Sequence, residues 1–202
     1  MNVQSDNVVT WADKSGLGNN ATNSANFPKT NLTTSISQFA YGGQETVDFF
    51  GTNWLNVDLT PLTGFEGYTI FIVDVVREIP SATYFMGSLF NGVDASLHFG
   101  YRDADSFTLA QYADDLNWDA PAPFAFGTPR LWTMRLDAGA TQTIYLNGVQ
   151  RSSRARLWEH QAYCCKASSD RVLAAAIAAI WLKSSFMNAG WMTPSGRRWR
   201  NI

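Results

Sequence analysis

Cysteine and histidine are scarce in this sequence, and their scarcity excludes several kinds of site. The 2 cysteines are the neighbours Cys164 and Cys165, and the 2 histidines are His98 and His160. Adjacent cysteines cannot crosslink distant elements, so the sequence predicts no disulfide framework. It also lacks zinc-ligand spacing, a Gly-x-Ser-x-Gly motif and a phosphate-binding glycine loop. These absences exclude a structural zinc site, a serine hydrolase of that type and a phosphate-cradling nucleotide site.

A membrane span and a secretion signal are missing as well. The longest apolar run, residues 172–182, has 11 residues, about half of the ~20 that a helix needs to cross a bilayer. Residues 1–5 have neither a basic start nor an apolar core, so they do not read as a signal peptide. We therefore expect a soluble protein.

Charged residues make up only 16% of the sequence, and they are unevenly distributed. Residues 1–150 contain 6 Lys and Arg against 15 Asp and Glu, a net charge of −9. Residues 151–202 contain 9 against 2, a net charge of +7, and they are rich in Ala and Arg. We predict a β domain over residues 1–150 and a basic tail over residues 151–202.

Short segments of alternating apolar residues predict strands throughout the first 150 residues. The predicted strands are 8–11, 46–51, 54–57, 68–76, 84–90, 95–101, 107–112, 130–136 and 143–146. Turn-forming residues separate them, and Asn147-Gly148 is the strongest hairpin signal. Because no helical period occurs between these segments, we predict an all-β antiparallel sandwich or jelly roll.

Five segments resemble the motifs of one family. They are VVTWADKSGLGNNAT at 8–22, VDFFG at 47–51, TIFIV at 69–73, LWT at 131–133 and IYLNG at 144–148. In this order and spacing they are similar to laminin-G-like domains of the concanavalin A-like lectin/glucanase superfamily. The resemblance implies a concanavalin A-like jelly-roll sandwich that recognises glycans without catalysis. It further implies a parent protein that is extracellular, on the cell surface or part of a virion.

The sequence departs from this family at both ends. Family domains usually begin with a strand ahead of the Trp11 region, and they close with a strand and a short acidic helix. Back-translation of residues 174–202, read from the third base of each codon, yields a string that resembles this closing segment. We hypothesise a frameshift between about Gln150 and Ala174, which the coding DNA tests. The alternative is a natural basic appendage.

Residues 172–187 have high helix propensity, so we predict a helical tail that does not complete the sheet. Missing terminal strands would leave sheet edges open, and open edges favour pairing between chains. We therefore expect self-association unless the tail covers an edge.

A sugar site needs exposed aromatic rings beside hydrogen-bonding groups, because a pyranose has an apolar face and a rim of hydroxyls. Alternation directs Leu97, Phe99 and Tyr101 to the core, which leaves His98 and Arg102 on the other face. In the next predicted strand it directs Phe107, Leu109 and Gln111 inward and Thr108, Ala110 and Tyr112 outward. Trp118 is the best aromatic candidate, because we predict it in a loop. The candidate ligand-binding residues are His98, Arg102, Tyr112, Asn117 and Trp118.

Calcium is a second possible ligand. It takes 6–8 oxygen ligands from carboxylates, amides and carbonyls on flexible loops. Two predicted loops that flank one hairpin are acidic, and their candidate ligands are Asp103, Asp105, Asp114, Asp115 and Asp119, beside Asn117. The alternative interpretation is that these are ordinary solvated turns. No other cofactor is predicted.

Three alternatives to a glycan-binding module stay open. The first is a polysaccharide-cleaving enzyme of the same fold. The Glu-x-Asp-x-x-Glu string of jelly-roll glucanases is absent, which argues against a glucanase. A jelly-roll lyase instead needs a Tyr/His pair with Arg or Gln, and such residues lie on adjacent predicted strands: His98, Arg102, Gln111 and Tyr112. A structural or virion protein and a degraded gene product without a ligand are the others. The basic clusters at 151–156 and 197–200 predict at most nonspecific phosphate contacts, so we expect no specific nucleic-acid partner.

Overall fold

The computed structural model describes residues 2–4, 7–22, 29–30, 47–49, 54–57, 67–76, 79, 82–87, 97–111, 115–137, 141–155, 170–172 and 177–183. Regular structure in these residues is entirely β. The sixteen strands are β1 Asn2–Gln4, β2 Asn7–Trp11, β3 Ala21–Thr22, β4 Lys29–Thr30, β5 Val47–Asp48, β6 Leu55–Val57, β7 Tyr68–Asp74, β8 Thr83–Gly87, β9 Leu97–Tyr101, β10 Ser106–Gln111, β11 Leu116–Asp119, β12 Arg130–Leu136, β13 Thr141–Leu146, β14 Val149–Ala155, β15 Asp170–Val172 and β16 Ile177–Lys183. The same residues contain no helix that is long and apolar enough to span a membrane.

Antiparallel pairing links the strands into one continuous path. The order of neighbours is β11-β10-β9-β8-β15-β6-β3-β2-β4-β5-β16-β7-β12-β13-β14, and β1 pairs with β2. The two ends of the path meet, because Ser152 Oγ on β14 donates a 3.1 Å hydrogen bond to the Asn117 backbone oxygen on β11. A sheet whose ends meet in this way encloses a core between two facing layers. The predicted all-β antiparallel sandwich is confirmed.

Alternating side chains fill the space between the layers. The inward residues of β7, such as Ile70 and Ile72, are buried, whereas the residues between them are half-buried. β12 shows the same period through Trp132 and Met134. The rings of Phe107 and Trp132 stack with their centroids 3.7 Å apart, across the two layers. Full burial of a side chain such as Phe or Ile contributes roughly 1.5–3 kcal/mol.

A polar cluster interrupts the apolar core at one end of the sandwich. Asp74 ends β7, Tyr101 ends β9 and Arg130 begins β12, and all three side chains are buried. Arg130 also donates a hydrogen bond to the Ala125 backbone oxygen. Its guanidinium carbon lies 5.4 Å from the centroid of the Phe124 ring. The cluster therefore anchors the segment between β11 and β12 to the core.

Asp13 organises the glycine-containing turn that follows β2. Its carboxylate accepts hydrogen bonds from the Ser15 hydroxyl at 2.6 Å, the Ser15 N–H at 2.7 Å and the Asn19 N–H at 3.0 Å. These hydrogen bonds hold the pKa of Asp13 below its ordinary value. Gly16 has a φ of 84°, which glycine adopts without strain. Asp13 therefore holds the turn through its side chain, as Asp commonly does in loops.

The Asn147-Gly148 turn joins β13 to β14, as predicted. The φ angles of the two residues are 53° and 77°, in the region that a type I′ hairpin turn requires. Asn147 Oδ1 accepts a 2.9 Å hydrogen bond from the Leu131 N–H, and the Asn147 N–H donates to the Leu131 oxygen at 2.8 Å. β14 then continues to Ala155. The change of composition at residue 151 therefore falls within a strand.

The helix predicted over residues 172–187 is wrong where the structure describes this stretch. Residues 177–183 form β16, which pairs with β7 along its length and with β5 at one residue. Residues 170–172 form β15, which pairs with β6 and β8. An apolar run without alternation fits a buried strand as well as a helix. The backbone edge of β7 offers hydrogen-bond partners, and this tertiary pairing outweighs the high intrinsic helix propensity of the segment.

Candidate functional site

The outer face of the β8–β11 layer gathers polar and aromatic side chains. We call it the polar face and define it by Tyr84, His98, Arg102, Asp115 and Asn117. Alternate residues of β9, beginning with Leu97, are buried in the core, so His98 faces away from it, as predicted. On β11, Asn117 is exposed whereas its neighbours Leu116 and Trp118 pack against the core.

The pairing of β8, β9, β10 and β11 determines which residues lie next to each other on the polar face. Gly100 pairs with Tyr84 on β8 and with Thr108 on β10, and Thr108 pairs with Asn117 on β11. Thr108 is fully buried, although alternation directs it outward. Arg102 on the β9 side reaches Asn117 on β11 across β10, the strand that contains Thr108.

Gly100 allows β8 and β9 to approach closely. Its φ is 149°, a conformation that residues with a side chain rarely adopt. A Cβ at this position would lie 2.6 Å from the Thr83 oxygen and 2.6 Å from the Tyr84 Cα. Both are backbone atoms that a side-chain rotation cannot move away. Only glycine fits here, and the close approach places Tyr84 beside His98.

Arg102 connects two acceptors on the polar face through one nitrogen. Its Nη1 lies 3.1 Å from Asp115 Oδ2 and 3.1 Å from Asn117 Oδ1, and it donates to both. The Arg102 side chain is 41% exposed, and that of Asp115 is 25% exposed. An ion pair this accessible adds little to stability. A guanidinium has five N–H donors, so donors remain for a ligand at this position.

Tyr84 and His98 form an aromatic pair on the same face. Their ring centroids are 5.1 Å apart and their planes meet at 76°, an edge-to-face geometry. Both side chains are half-buried. Sequence reasoning identified His98 but missed Tyr84, because the pairing of β8 with β9 shifts register between Tyr84 and Met86. A register shift of this kind has no signal in one sequence.

Two acidic residues lie in the tight turn between β9 and β10. Asp103 Oδ1 accepts hydrogen bonds from the Asp105 N–H at 3.1 Å and the Ser106 N–H at 2.9 Å. Hydrogen bonding to Asp105 and Ser106 holds the pKa of Asp103 below its ordinary value. Hydrogen bonding to Asp103, with the nearby negative charges of Asp103 and Asp119, raises the pKa of Asp105. We call Asp103, Asp105 and Asp119 the acidic rim.

The predicted calcium ligands do not form one cluster in the part of the chain that the structure describes. Asp115 is engaged by Arg102, and Asp119 lies in β11 rather than in the predicted loop. Across the described ranges, no three His, Cys, Asp or Glu side chains are arranged to hold a metal ion. Asp114 lies outside these ranges, so calcium binding stays a prediction.

Trp118 faces the interior, and its predicted position in an exposed loop is wrong. It lies within β11, and its ring centroid is 5.9 Å from that of Phe124 and 6.2 Å from that of Trp132. The guanidinium carbon of Arg151 lies 5.3 Å from the same ring centroid. Successive strand residues point to opposite faces, so Trp118 is separated from Asn117 by the sheet itself. A four-residue strand shows too little alternation for sequence reasoning to recognise it.

The structure brings some of the other predicted ligand-binding residues together and does not describe the rest. Tyr112 lies outside the described residues, and Gln111 is described by its backbone alone. Arg102 and Asn117 are brought into direct contact, and His98 shares their face. The polar face therefore retains three of the five predicted ligand-binding residues and adds Tyr84 and Asp115.

No protein-family model matches this chain, and no curated protein matches it either. Solved structures do resemble it. Tailspike protein 2 of an Escherichia coli O157:H7 bacteriophage matches with a TM-score of 0.55 and 17% identity, over 92% of this chain and 27% of the tailspike. The enzymatically active domain of a bacteriophage tailspike protein 2 matches with a TM-score of 0.53 and 15% identity, over 92% of this chain and 30% of that one.

A toxin domain shows the same likeness. The binding domain of botulinum neurotoxin DC, solved in complex with rat synaptotagmin II, matches with a TM-score of 0.50 and 11% identity. The match covers 88% of this chain and 46% of the toxin domain. The chain thus spans less than half the length of these three neighbours. At such identities the likeness concerns the fold, a β-sandwich found in binding domains and tailspikes.

Proposed function

We propose that this chain is a laminin-G-like carbohydrate-binding module and that its polar face contacts the sugar. The observation that supports this most directly is the contact of Arg102 with both Asp115 and Asn117, next to the edge-to-face pair of Tyr84 and His98. Sugar hydroxyls need donors and acceptors side by side, and the apolar face of the ring needs aromatic surface. The polar face supplies both.

The hydrogen bonds within the polar face favour binding in a second way. Arg102 is held at 3.1 Å by each of two acceptors, so its guanidinium is already oriented before a ligand arrives. Immobilising a free arginine on binding costs about 0.5–1.5 kcal/mol. Preorganisation removes part of this cost. The fold is consistent with the proposal, because sandwich neighbours include a toxin binding domain and phage tailspikes.

We place the parent protein outside the cell or on a virion, by analogy with these neighbours. Surface glycans are the ligands that such a location offers. Calcium is part of the proposal only as a bridging ion near the acidic rim, where the carboxylates of Asp103 and Asp105 are exposed.

The experiment is a glycan array followed by calorimetry on the best ligand, with calcium and with chelator. Arg102→Ala and Asn117→Ala are expected to weaken binding at least about tenfold, since each removes a direct hydrogen-bonding group. Arg135→Ala is the matched control, because Arg135 is 46% exposed and also pairs with an aspartate, Asp137, but lies on the other layer. Absence of binding to every glycan on the array, with and without calcium, would rule out the proposal.

A polysaccharide-cleaving enzyme is the second candidate, and one observation favours it. Tyr84 lies beside His98 on the face that contains Arg102, which supplies the Tyr/His pair and cation that a jelly-roll lyase needs. Depolymerisation of a polysaccharide panel tests it, with Tyr84→Phe and His98→Ala as variants. Turnover that both variants abolish supports an enzyme, and absence of turnover on every polymer removes this candidate.

A further inference from the structure

We propose that the polar face selects uncharged or amine-bearing sugars and rejects glycans with carboxylate or sulfate groups. This inference rests on the proposed function, because it concerns the ligand class of the same site. It goes beyond that function by choosing between sugars of different charge. Three observations on the described side chains carry it.

The charge balance of the site is the first observation. The polar face and the acidic rim together contain one cation, Arg102, and four carboxylates, those of Asp103, Asp105, Asp115 and Asp119. At neutral pH an approaching anion therefore meets a surface of net negative charge. Two like charges 4 Å apart repel by about 1 kcal/mol in water and by more near a protein surface.

The state of the single cation is the second observation. Arg102 Nη1 is already bonded to the carboxylate of Asp115 at 3.1 Å. An anionic ligand that bonds to the remaining N–H groups of Arg102 therefore meets a cation whose charge Asp115 already offsets. A neutral hydroxyl bonds to the remaining N–H groups without breaking the ion pair.

The third observation concerns the acceptors of the site. The carboxylates of Asp103, Asp105 and Asp119 are exposed. Hydroxyl and ammonium groups donate hydrogen bonds to such acceptors, whereas ionised carboxylates and sulfates have no proton to donate. The site therefore matches a ligand that donates hydrogen bonds.

Arg151, a described cation close to β11 but outside the polar face, does not reverse this balance. Arg151 contacts β11, but its guanidinium stacks on Trp118 at 5.3 Å from the ring centroid. Trp118 faces the interior of the sandwich, opposite to Asn117. The positive charge of Arg151 is thus directed to the other side of the strand.

The test uses the full chain and matched oligosaccharides: one neutral compound, its sialylated form, its sulfated form and an amino-sugar analogue. Affinities are measured by calorimetry in the presence of chelator, so that no calcium offsets the charge of the acidic rim, at low and at high salt. We expect the neutral and amino forms to bind roughly tenfold or more tightly than the acidic forms at low salt, with a smaller ratio at high salt. Acidic forms that bind as tightly as the neutral form would overturn the inference while leaving the proposed function intact. If the chain binds no glycan on the array and none of these four compounds, the proposed function itself is overturned.

Variants of the acidic rim test whether its negative charge, rather than the shape of the site, weakens the binding of acidic sugars. Asp105→Asn combined with Asp119→Asn removes two exposed negative charges and spares Asp103, which holds the turn through its hydrogen bonds. This double variant is expected to bind the acidic forms severalfold more tightly and the neutral form unchanged. Asp137→Asn, on the other layer, is the control and leaves the ratio as it is. An unchanged ratio in the double variant would overturn the role of the rim.

Discussion

The Tyr101 hydroxyl donates a 2.9 Å hydrogen bond to Asp74 Oδ2 between the two layers of the sandwich. The same hydroxyl accepts from Trp132 Nε1 at 3.1 Å and from Arg130 Nη1 at 3.4 Å. Asp74 Oδ1 has no hydrogen-bond partner among the described residues. Burial raises the pKa of Asp74 to about 7, against the opposing effects of Tyr101 and Arg130. Burial also raises the pKa of Tyr101, so its hydroxyl stays protonated as a donor.

The first prediction concerns stability against pH. The folded pKa of Asp74 lies above its unfolded value of 3.8, so the folded state binds the proton more tightly. The contribution of this group is therefore complete below about pH 4 and is lost as pH rises to about 7, by on the order of 1–4 kcal/mol. Urea unfolding of wild type and Asp74→Asn from pH 4 to 8 checks it. Asn cannot ionise, so the variant is expected to lack this fall, and identical pH profiles would contradict the prediction.

The second prediction concerns Gly100. An alanine Cβ would lie 2.6 Å from two backbone atoms, so Gly100→Ala is expected to destabilise the fold by roughly 3 kcal/mol or more. Gly16→Ala is the control: it also has a positive φ, 84°, but nothing lies within 4 Å of its Cβ position. Backbone strain alone should cost about 1 kcal/mol there. Equal losses of unfolding free energy in the two variants would show that the close approach of β8 and β9 is not tight.

Alternation in the sequence predicted the layers of the sandwich, because a strand with one buried face has to repeat every second residue. β7, β9 and β12 obey this rule, and Asn147-Gly148 marked its hairpin. Asp74 had a signal that sequence reasoning passed over, since it occupies the inward position after Ile72. A polar residue at an inward position indicates a buried partner.

Contacts between distant elements were less accessible to sequence reasoning. The pairing of Tyr84 with His98 depends on a register shift, and the interior position of Trp118 depends on a short strand. Ile177–Lys183 was assigned by its helix propensity, but the open edge of β7 decides its conformation. In each case the deciding partner is far away in sequence, so no local pattern records it.

The third prediction separates the two faces of β11. Because the Trp118 ring packs near Phe124 and Trp132, Trp118→Ala is expected to lower the unfolding free energy by roughly 3 kcal/mol. The glycan affinity of the folded fraction should not change. Chemical unfolding and calorimetry at a temperature where the variant is folded measure the two quantities separately. A variant that keeps wild-type stability but loses glycan binding would indicate that Trp118 contacts the ligand.

The fourth prediction concerns the strand that covers β7. Ile180 is the register partner of Ile72, in the middle of the pairing between β16 and β7. Proline at this position removes a backbone donor and is not tolerated within a central strand. Ile180→Pro is therefore expected to lower the melting temperature and to open the β7 edge, and open edges pair between chains. Light scattering should then report self-association that the conservative control Ile180→Val does not show. If Ile180→Pro stays monomeric and has the melting temperature of the wild type, the pairing of β16 with β7 neither protects the edge of β7 nor contributes to stability.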